Sequence, residues 1–261
     1  YMIQLDPLNA EHIIGFVQLN GSDIQGRQIT LSIPELGIHT QLISDEGGKA
    51  EITLQRERIE LWSPQNPKLY NISLKFDRDQ VKDNIGFRTI RTKDREIMLN
   101  GNPVFLKGIS IHEENPLRGG RAYSEDDAIL LLGWAREMGC NYVRLAHYPH
   151  NEHMLRVADE LGLMVWAEIP VYWTIDWENP ATYSNAENQL SAMINRDKNR
   201  ASVIIWSMAN ETPVSEQRNA FMKKLAETAR ALDSSRLISA ALEQSSYDGL
   251  DNTRTISDPF A

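Results

Sequence analysis

The sequence predicts a β-sandwich over residues 1–91 followed by a parallel α/β unit over residues 92–261. Three observations carry that reading. Up to residue 91 the chain offers only short apolar or β-branched stretches divided by turn signals, with no helical segment among them. From residue 92 onward, nearly continuous apolar strands alternate with amphipathic stretches that carry helix caps, the pattern of a parallel sheet covered on both faces. The composition, 41% hydrophobic and 24% charged across 261 residues, is that of a globular chain able to bury a core.

In the first part the expected strands are residues 15–19, 28–33, 40–43, 50–54, 70–76 and 85–90, separated by Asn20-Gly21, Gly47-Gly48, Pro64 and Pro67. Short strands at this spacing argue a sandwich of about 90 residues. His39, Gln41, Ile43 and the charged run 56–58 read as solvated strand faces, because charged side chains stay in water unless paired. In the second part the expected strands are residues 104–111, 142–145, 163–168, 203–208 and 237–242. Ser124 caps a first helix, with Asp127 at the third position and Gly139 beyond its end, and residues 151–162 make a second. A third helix is expected to start at Ser184, with Glu187 completing a capping box, and a fourth to run from Ser215 to about Leu232. Ile129, Leu132, Ala135 and Met138 recur at helical spacing and read as core.

The net charge of −9 argues against a nucleic-acid partner, which needs a basic face. No apolar run approaches the roughly 18 residues of a membrane span, and residues 1–19 lack the basic head, apolar stretch and cleavage site of a targeting signal. The expectation is no membrane partner, with cytoplasm and periplasm both open and oligomerisation undecided. Cys140 is the single cysteine, which excludes an intramolecular disulfide framework and a multi-cysteine zinc site. The chain opens at Tyr1 without an initiator methionine, which points to processing or to a piece of something longer.

Five βα repeats fit neither common architecture directly. A closed (β/α)8 barrel needs eight units and typically about 250 residues. An open doubly wound sheet fits the length, but the glycine-rich phosphate-binding fingerprints that accompany many such sheets are absent from the first βα turns. A cofactor-free open sheet and a truncated barrel both remain.

In either architecture function sits at the carboxyl ends of the strands. There the chain concentrates polar side chains: His112, Glu113, Glu114 and Asn115 after the first strand, and Arg144, His147, Tyr148 and His150 after the second. Glu168, Tyr172 and Trp173 follow the third, and Asn210 and Glu211 the fourth. Glu211 emerges from the apolar run 203–206 at the rim of a desolvated cup, where burial would raise its pKa and suit it to general acid work. The competing structural reading is an ion pair with Arg144 or Arg200. Trp173, Trp177, Tyr148 and Tyr172 offer flat apolar faces on which sugar rings pack, or else loop packing. His147, His150 and His153 make a weak metal site, since Pro149 breaks any helix between the first two and catalytic zinc wants three clustered ligands. No G-x-S-x-G elbow supports a serine triad.

Two stretches carry a family resemblance. Asn141-Tyr-Val-Arg144-Leu-Ala-His147-Tyr-Pro149, followed by Asp159, Gly162 and the apolar run to Trp166, resembles the first signature of glycoside hydrolase family 2, with Leu145 departing from the small residue many members carry. Asp197-Lys-Asn-Arg-Ala-Ser-Val-Ile-Ile-Trp206-Ser-Met-Ala-Asn210-Glu211 is similar to its second signature throughout. Leu61-Trp-Ser-Pro-Gln-Asn-Pro-Lys-Leu-Tyr70 and Gly86-Phe-Arg-Thr-Ile90 resemble the end of the immunoglobulin-like domain before the family's barrel, and Asn100-Gly-Asn-Pro-Val-Phe-Leu-Lys-Gly108 the lead into its first strand.

The resemblance implies an incomplete (β/α)8 TIM-type barrel of about five βα units over 92–261, preceded by an immunoglobulin-like β-sandwich over 1–91. It further implies a jelly-roll domain before Tyr1 and three more βα units after Ala261. The implied activity is retaining hydrolysis of terminal β-glycosides or oligosaccharides, with β-galactoside first and β-glucuronide as the alternative. Glu211 falls on the acid/base carboxyl, and Asn210 on the residue that bonds the sugar 2-hydroxyl. The resemblance places Arg144 and His147 on the strand-two motif that lines the sugar pocket and His112 and Glu168 at the equivalent rims of strands one and three, and Trp173 is expected to join them in binding substrate as an aromatic face. No nucleophile motif occurs between Thr212 and Ala261, and Glu243, although at the right rim, belongs to the wrong repeat. The chain alone is therefore expected to be inactive. No cofactor is expected; a family-type Mg or Na ion near Glu211 lacks a dedicated ligand set. The reading from a different class is a carbohydrate-binding module without catalysis.

Overall fold

The computed structural model describes residues 1–7 and 9–242. Seven antiparallel strands form two facing sheets. One holds β1 (Met2–Asp6), β2 (Asn9–Gln18) and β5 (Lys49–Gln55) in the order β1-β2-β5. The other holds β3 (Gln28–Ile33), β4 (Ile38–Ile43), β6 (Tyr70–Phe76) and β7 (Asp79–Ile85) in the order β4-β3-β6-β7. Alternation builds the core between them: Ile3 and Leu5 of β1, Ile13 and Val17 of β2 and Ile52 of β5 meet Ile29, Leu31 and Ile33 of β3 and Ile72 and Leu74 of β6. His39, Gln41 and Ile43 lie on exposed faces, as the sequence predicts.

A three-stranded meander follows, β8 (Ile90–Lys93), β9 (Glu96–Leu99) and β10 (Asn102–Val104). Asn100 and Gly101, both at positive φ, turn β9 into β10, the backbone a tight hairpin demands. Then comes a five-stranded parallel sheet, β11 (Gly108–Ile111), β12 (Tyr142–Leu145), β13 (Met164–Glu168), β14 (Val203–Thr212) and β15 (Leu237–Leu242), in chain order. The helices α1 (Glu125–Glu137), α2 (Glu152–Leu161), α3 (Pro180–Asp197) and α4 (Glu216–Leu232) alternate with these strands. An immunoglobulin-like sandwich thus precedes a run of (β/α) barrel strands. The meander packs under the amino ends of the parallel strands, where Ile90 and Leu99 join Met164, Ala201, Ile204 and Ile205 in one cluster around Trp62. No helix among the described residues is long and apolar enough to cross a membrane.

Several expectations are corrected. Of the strand expected over 85–90, Ile85 ends β7 and Ile90 begins β8, and 86–89 form a gap in which Arg88 leaves the sandwich to bond the parallel sheet. The strand expected over 104–111 is split: Val104 ends β10, and β11 begins only at Gly108, where a Cβ would lie 2.2 Å from the Tyr142 carbonyl oxygen. β1, β7 and β9 lie outside the expected strands, and β7 gives no hydropathy signal because Asp79–Ile85 exposes most of its residues. The third helix starts at Asn179 rather than Ser184: the Asn179 side chain accepts from the Ala181 amide at 2.9 Å and Pro180 supplies a pre-set φ. Glu187 instead binds the hydroxyls of Tyr183 and Thr228. On α1 the buried stripe is Ala128, Leu131, Leu132 and Ala135, while Ile129 and Met138 are exposed. The Ser124–Asp127 capping box and the left-handed Gly162 cap stand where the sequence puts them.

The sandwich is joined to the parallel sheet by buried polar contacts. Arg88 donates to the carbonyls of Ala201 (3.1 Å), Val203 (2.6 Å) and Ser235 (3.3 Å), and its burial pushes the guanidinium pKa down to about 9. Trp62 Nε1 donates to the Asp159 carbonyl at 2.8 Å, and Arg200 pairs with both Asp83 and Asp159. Gly162 belongs to this seam. Its φ of 69° closes α2, and a Cβ there would sit 2.7 Å from the Pro64 carbonyl oxygen. Gly162→Ala is therefore expected to lower stability by about 2–4 kcal/mol, combining left-handed strain with a backbone clash; urea unfolding of the two proteins checks it.

Candidate active site

The carboxyl ends of β12, β13 and β14 converge on one carboxylate. Glu168, the last residue of β13, is fully buried. Its Oε2 accepts from Arg144 Nε at 2.9 Å and Trp166 Nε1 at 2.7 Å. Its Oε1 accepts from Arg144 Nη2 at 2.9 Å and lies 2.6 Å from His147 Nδ1. Four donors offset the desolvation of a buried charge that would otherwise be too costly to keep. Arg144 Nη2 also donates to Asn210 Oδ1 at 2.6 Å, which brings β14 into the same network.

β14 ends irregularly, and the irregularity places the candidate acid. Its pairing with β15 slips between Ser207 and Asn210 and again between Asn210 and Thr212. Such bulges insert an unpaired residue and re-aim its side chain. Glu211 is that residue: its φ is 49°, it is exposed between buried Asn210 and Thr212, and no hydrogen bond or ion pair reaches its carboxylate among the described residues. Arg144 and Arg200, its candidate ion-pair partners, are taken by Glu168 and by Asp83 and Asp159. Among the described residues no desolvated cup encloses Glu211, contrary to expectation; the residue is exposed. Asn210 is held at two further points. Its backbone amide donates to the Val171 carbonyl at 2.8 Å and its backbone carbonyl accepts from Trp173 N at 3.1 Å, the two bonds that make a parallel bridge to Tyr172. Below it, Thr212 Oγ1 accepts from buried Arg218 Nε at 2.9 Å, a contact the sequence did not suggest.

The aromatic side chains form a rim. His112, exposed after β11, meets His147 edge-on at 5.3 Å and Tyr148 at 6.2 Å, and His147 meets Tyr172 at 6.3 Å. Tyr172 and Trp173 contact at 5.7 Å, and Trp173, 63% exposed with a φ of 55°, is the second strained residue of this rim. Trp177 is not part of it: it packs against Phe221 at 5.3 Å in the helical layer. Glu113 is buried and accepts from Arg121 and Asn151, while Asn115 and Arg118 bind Asp127, so these residues brace the loop before α1.

His147, His150 and His153 do not converge on a metal. His147 faces Glu168, His150 is buried against the Ala146 carbonyl at 3.1 Å, and among the described residues no three His, Cys, Asp or Glu side chains gather to hold an ion. Glu243 lies outside the described residues. Trp166, which completes the donor set of Glu168, carries no local signal of that role, because an indole in an apolar strand reads as core.

A parallel (β/α) sheet with a polar rim at the carboxyl ends of its strands, behind an immunoglobulin-like sandwich, has the architecture of a barrel hydrolase. The model described as "Glycosyl hydrolases family 2, TIM barrel domain" matches residues 90–256, and the one described as "Glycosyl hydrolases family 2" matches residues 16–88. The chain belongs to glycoside hydrolase family 2. A β-glucuronidase of Paenibacillus borealis is 31% identical over 244 residues, covering 83% of this chain and 40% of that protein. A β-galactosidase of Thermoanaerobacter pseudethanolicus is 36% identical over 186 residues, covering 67% of this chain and 24% of its own. The Ruminococcus gnavus β-glucuronidase, solved in complex with uronic isofagomine, superposes with a TM-score of 0.77 at 25% identity, over 92% of this chain and 43% of that one. The chain thus spans less than half the length of each.

His150, stacked on Tyr148 at 5.2 Å, gives this region a pH dependence. Burial pushes its pKa down to about 4, against about 6.5 in an unfolded chain. The folded state holds the neutral ring, so its contribution to stability is complete above pH 6.5 and declines as pH falls from 6.5 towards 4. The stability of wild type relative to His150→Gln is expected to fall by about 2 kcal/mol between pH 7.5 and 4.5, read from urea unfolding at each pH.

Proposed function

We propose that this chain supplies the acid/base half of a retaining β-glycosidase site, with Glu211 as the group that exchanges the proton. The observation that carries it is the setting of Glu211: an unpaired, exposed carboxylate held in left-handed backbone next to an asparagine that Arg144 fixes. In the first step the Glu211 carboxyl gives its proton to the glycosidic oxygen as the bond from that oxygen to the anomeric carbon breaks, and a nucleophilic carboxylate takes the sugar. In the second, Glu211 removes a proton from water as the water displaces that carboxylate. Asn210 contacts the sugar 2-hydroxyl, and His112, His147, Arg144 and Trp173 bind and orient the ring. Glu168 serves the pocket from behind Arg144 and His147, since its enclosed oxygens have no room for a sugar.

The substrate class is a terminal β-glycoside, with β-galactoside the leading sugar. β-Glucuronide is the second reading, favoured by the names of the Paenibacillus and Ruminococcus relatives. Arg118 and Arg121 are poor candidates to clamp a uronic acid, because they already pair with Asp127 and Glu113.

Two outcomes are expected. The purified 261-residue chain hydrolyses neither 4-nitrophenyl β-galactoside nor β-glucuronide, because no residue matching the family's nucleophile motif lies between Thr212 and Ala261. Turnover by that chain, abolished by Glu211→Gln, would overturn this. In the full-length natural polypeptide, Glu211→Gln is expected to lower kcat/KM on natural β-glycosides by about 10²–10⁴-fold. Added azide should restore turnover of activated aryl glycosides and yield a β-glycosyl azide. No loss on substitution would remove Glu211 from the reaction.

A further inference from the structure

We propose that Glu168 is a positioning residue that fixes the hydrogen-bonding polarity of two pocket side chains, making His147 Nε2 an acceptor and Asn210 Nδ2 a donor towards the sugar. The inference deepens the glycosidase reading and rests on it for its kinetic consequence, though not for its structural one. An ionised carboxylate only accepts hydrogen bonds. With Glu168 Oε1 2.6 Å from His147 Nδ1, the proton of the neutral imidazole must sit on Nδ1. Arg144 Nη2 lies 3.2 Å from the same nitrogen and could donate to it only if Nδ1 kept its lone pair; that lone pair would then face the Glu168 Oε1 lone pairs at 2.6 Å, so the shorter contact with the anionic oxygen decides the tautomer. The Nε2 atom, which has no hydrogen-bond partner among the described residues, is then left with its lone pair free.

The second effect passes through Arg144. Glu168 grips the guanidinium at both Nε and Nη2, a two-point hold that sets the plane of the group. In that plane Nη2 also meets Asn210 at 2.6 Å, and a guanidinium can meet an amide so closely only through the amide oxygen. Asn210 Nδ2 has no hydrogen-bond partner among the described residues, so its protons are free for a ligand. Trp166 completes the arrangement by satisfying the remaining acceptor direction of Glu168 at 2.7 Å. A sugar hydroxyl can then accept from Asn210 while another donates to His147. That division of roles suits the hydroxyl-rich face of a pyranose. If the carboxylate merely tied β12 to β13, neither tautomer nor amide orientation would matter to turnover.

Two measurements test this. In histidine-selective ¹⁵N spectra of the 261-residue protein at pH 8, the His147 ring, assigned by its loss in His147→Gln, is expected as the Nδ1–H tautomer. An unconstrained imidazole prefers Nε2–H, and finding that form at His147 would overturn the proposal without any variant at Glu168. In the full-length natural polypeptide, Glu168→Gln is expected to lower kcat on the order of 100-fold, with a smaller change in KM, as the two side chains lose their orientation. Glu168→Asp, which keeps the charge, should recover part of the loss. Glu168→Gln with kcat within threefold of wild type and only a lowered unfolding midpoint would mean that the group is structural. If Glu168→Gln does not fold, the tautomer decides. The wild-type full-length polypeptide run alongside separates the two ideas: no β-glycoside turnover there would fail the glycosidase reading and leave the tautomer result standing.

Discussion

A buried charge that must find donors organises the carboxyl end of this sheet. Glu168 is fully buried; its Oε2 is matched by Arg144 of β12 and Trp166 of its own strand, and its Oε1 by Arg144 and by His147 just past β12. Because Arg144 reaches onward to Asn210, three adjacent strands share one electrostatic knot. Removing one partner from such a group leaves an uncompensated charge in low dielectric, so the knot behaves as a unit. It also frees Glu211. With Arg144 committed elsewhere, the Glu211 carboxyl two strands away carries no hydrogen bond or ion pair among the described residues.

The stretch from Asp197 to Glu211 is mechanically continuous with that site. Its first part docks the sandwich: Asn199 bonds the backbone of Tyr1 and Ile3, Arg200 pairs with Asp83, and the carbonyls of Ala201 and Val203 receive Arg88. Its second part is strand β14, whose bulged end presents Asn210 and Glu211. The β8–β10 meander closes the amino end of the same strands. A segment pinned to the sandwich at one end and to Arg144 at the other can hold a non-glycine residue at a φ of 49°, a conformation that costs energy unless the surroundings impose it.

Much of this was legible in the sequence where local chemistry decides the structure. The Ser124–Asp127 box and Gly162 mark helix ends whatever surrounds them, and the apolar runs 142–145 and 237–242 match strands at both ends. Legibility failed where tertiary contact decides. The Ser184–Glu187 pair looks like a cap, but Asn179-Pro180 one turn earlier starts the helix and Glu187 serves a helix–helix contact instead. β7 carries too few apolar residues to be seen, because its partner β6 supplies the pairing. The site divides the same way. That Asn210, Glu211, Arg144, His147 and Glu168 belong together follows from their places at strand ends. That Glu168 is enclosed and Glu211 exposed follows from a bulge and a donor set that no local pattern encodes.

The most direct measurement is the dependence of kcat/KM on leaving-group acidity for a series of aryl β-glycosides, made on the full-length natural polypeptide and on its Glu211→Gln variant. A proton delivered to the departing oxygen relieves the need for a good leaving group. The expected result is a shallow dependence with Glu211 present and a steep one without it, with the most acidic phenols least affected. Equal slopes in the two proteins would contradict Glu211 as the acid, however complete the family resemblance around it.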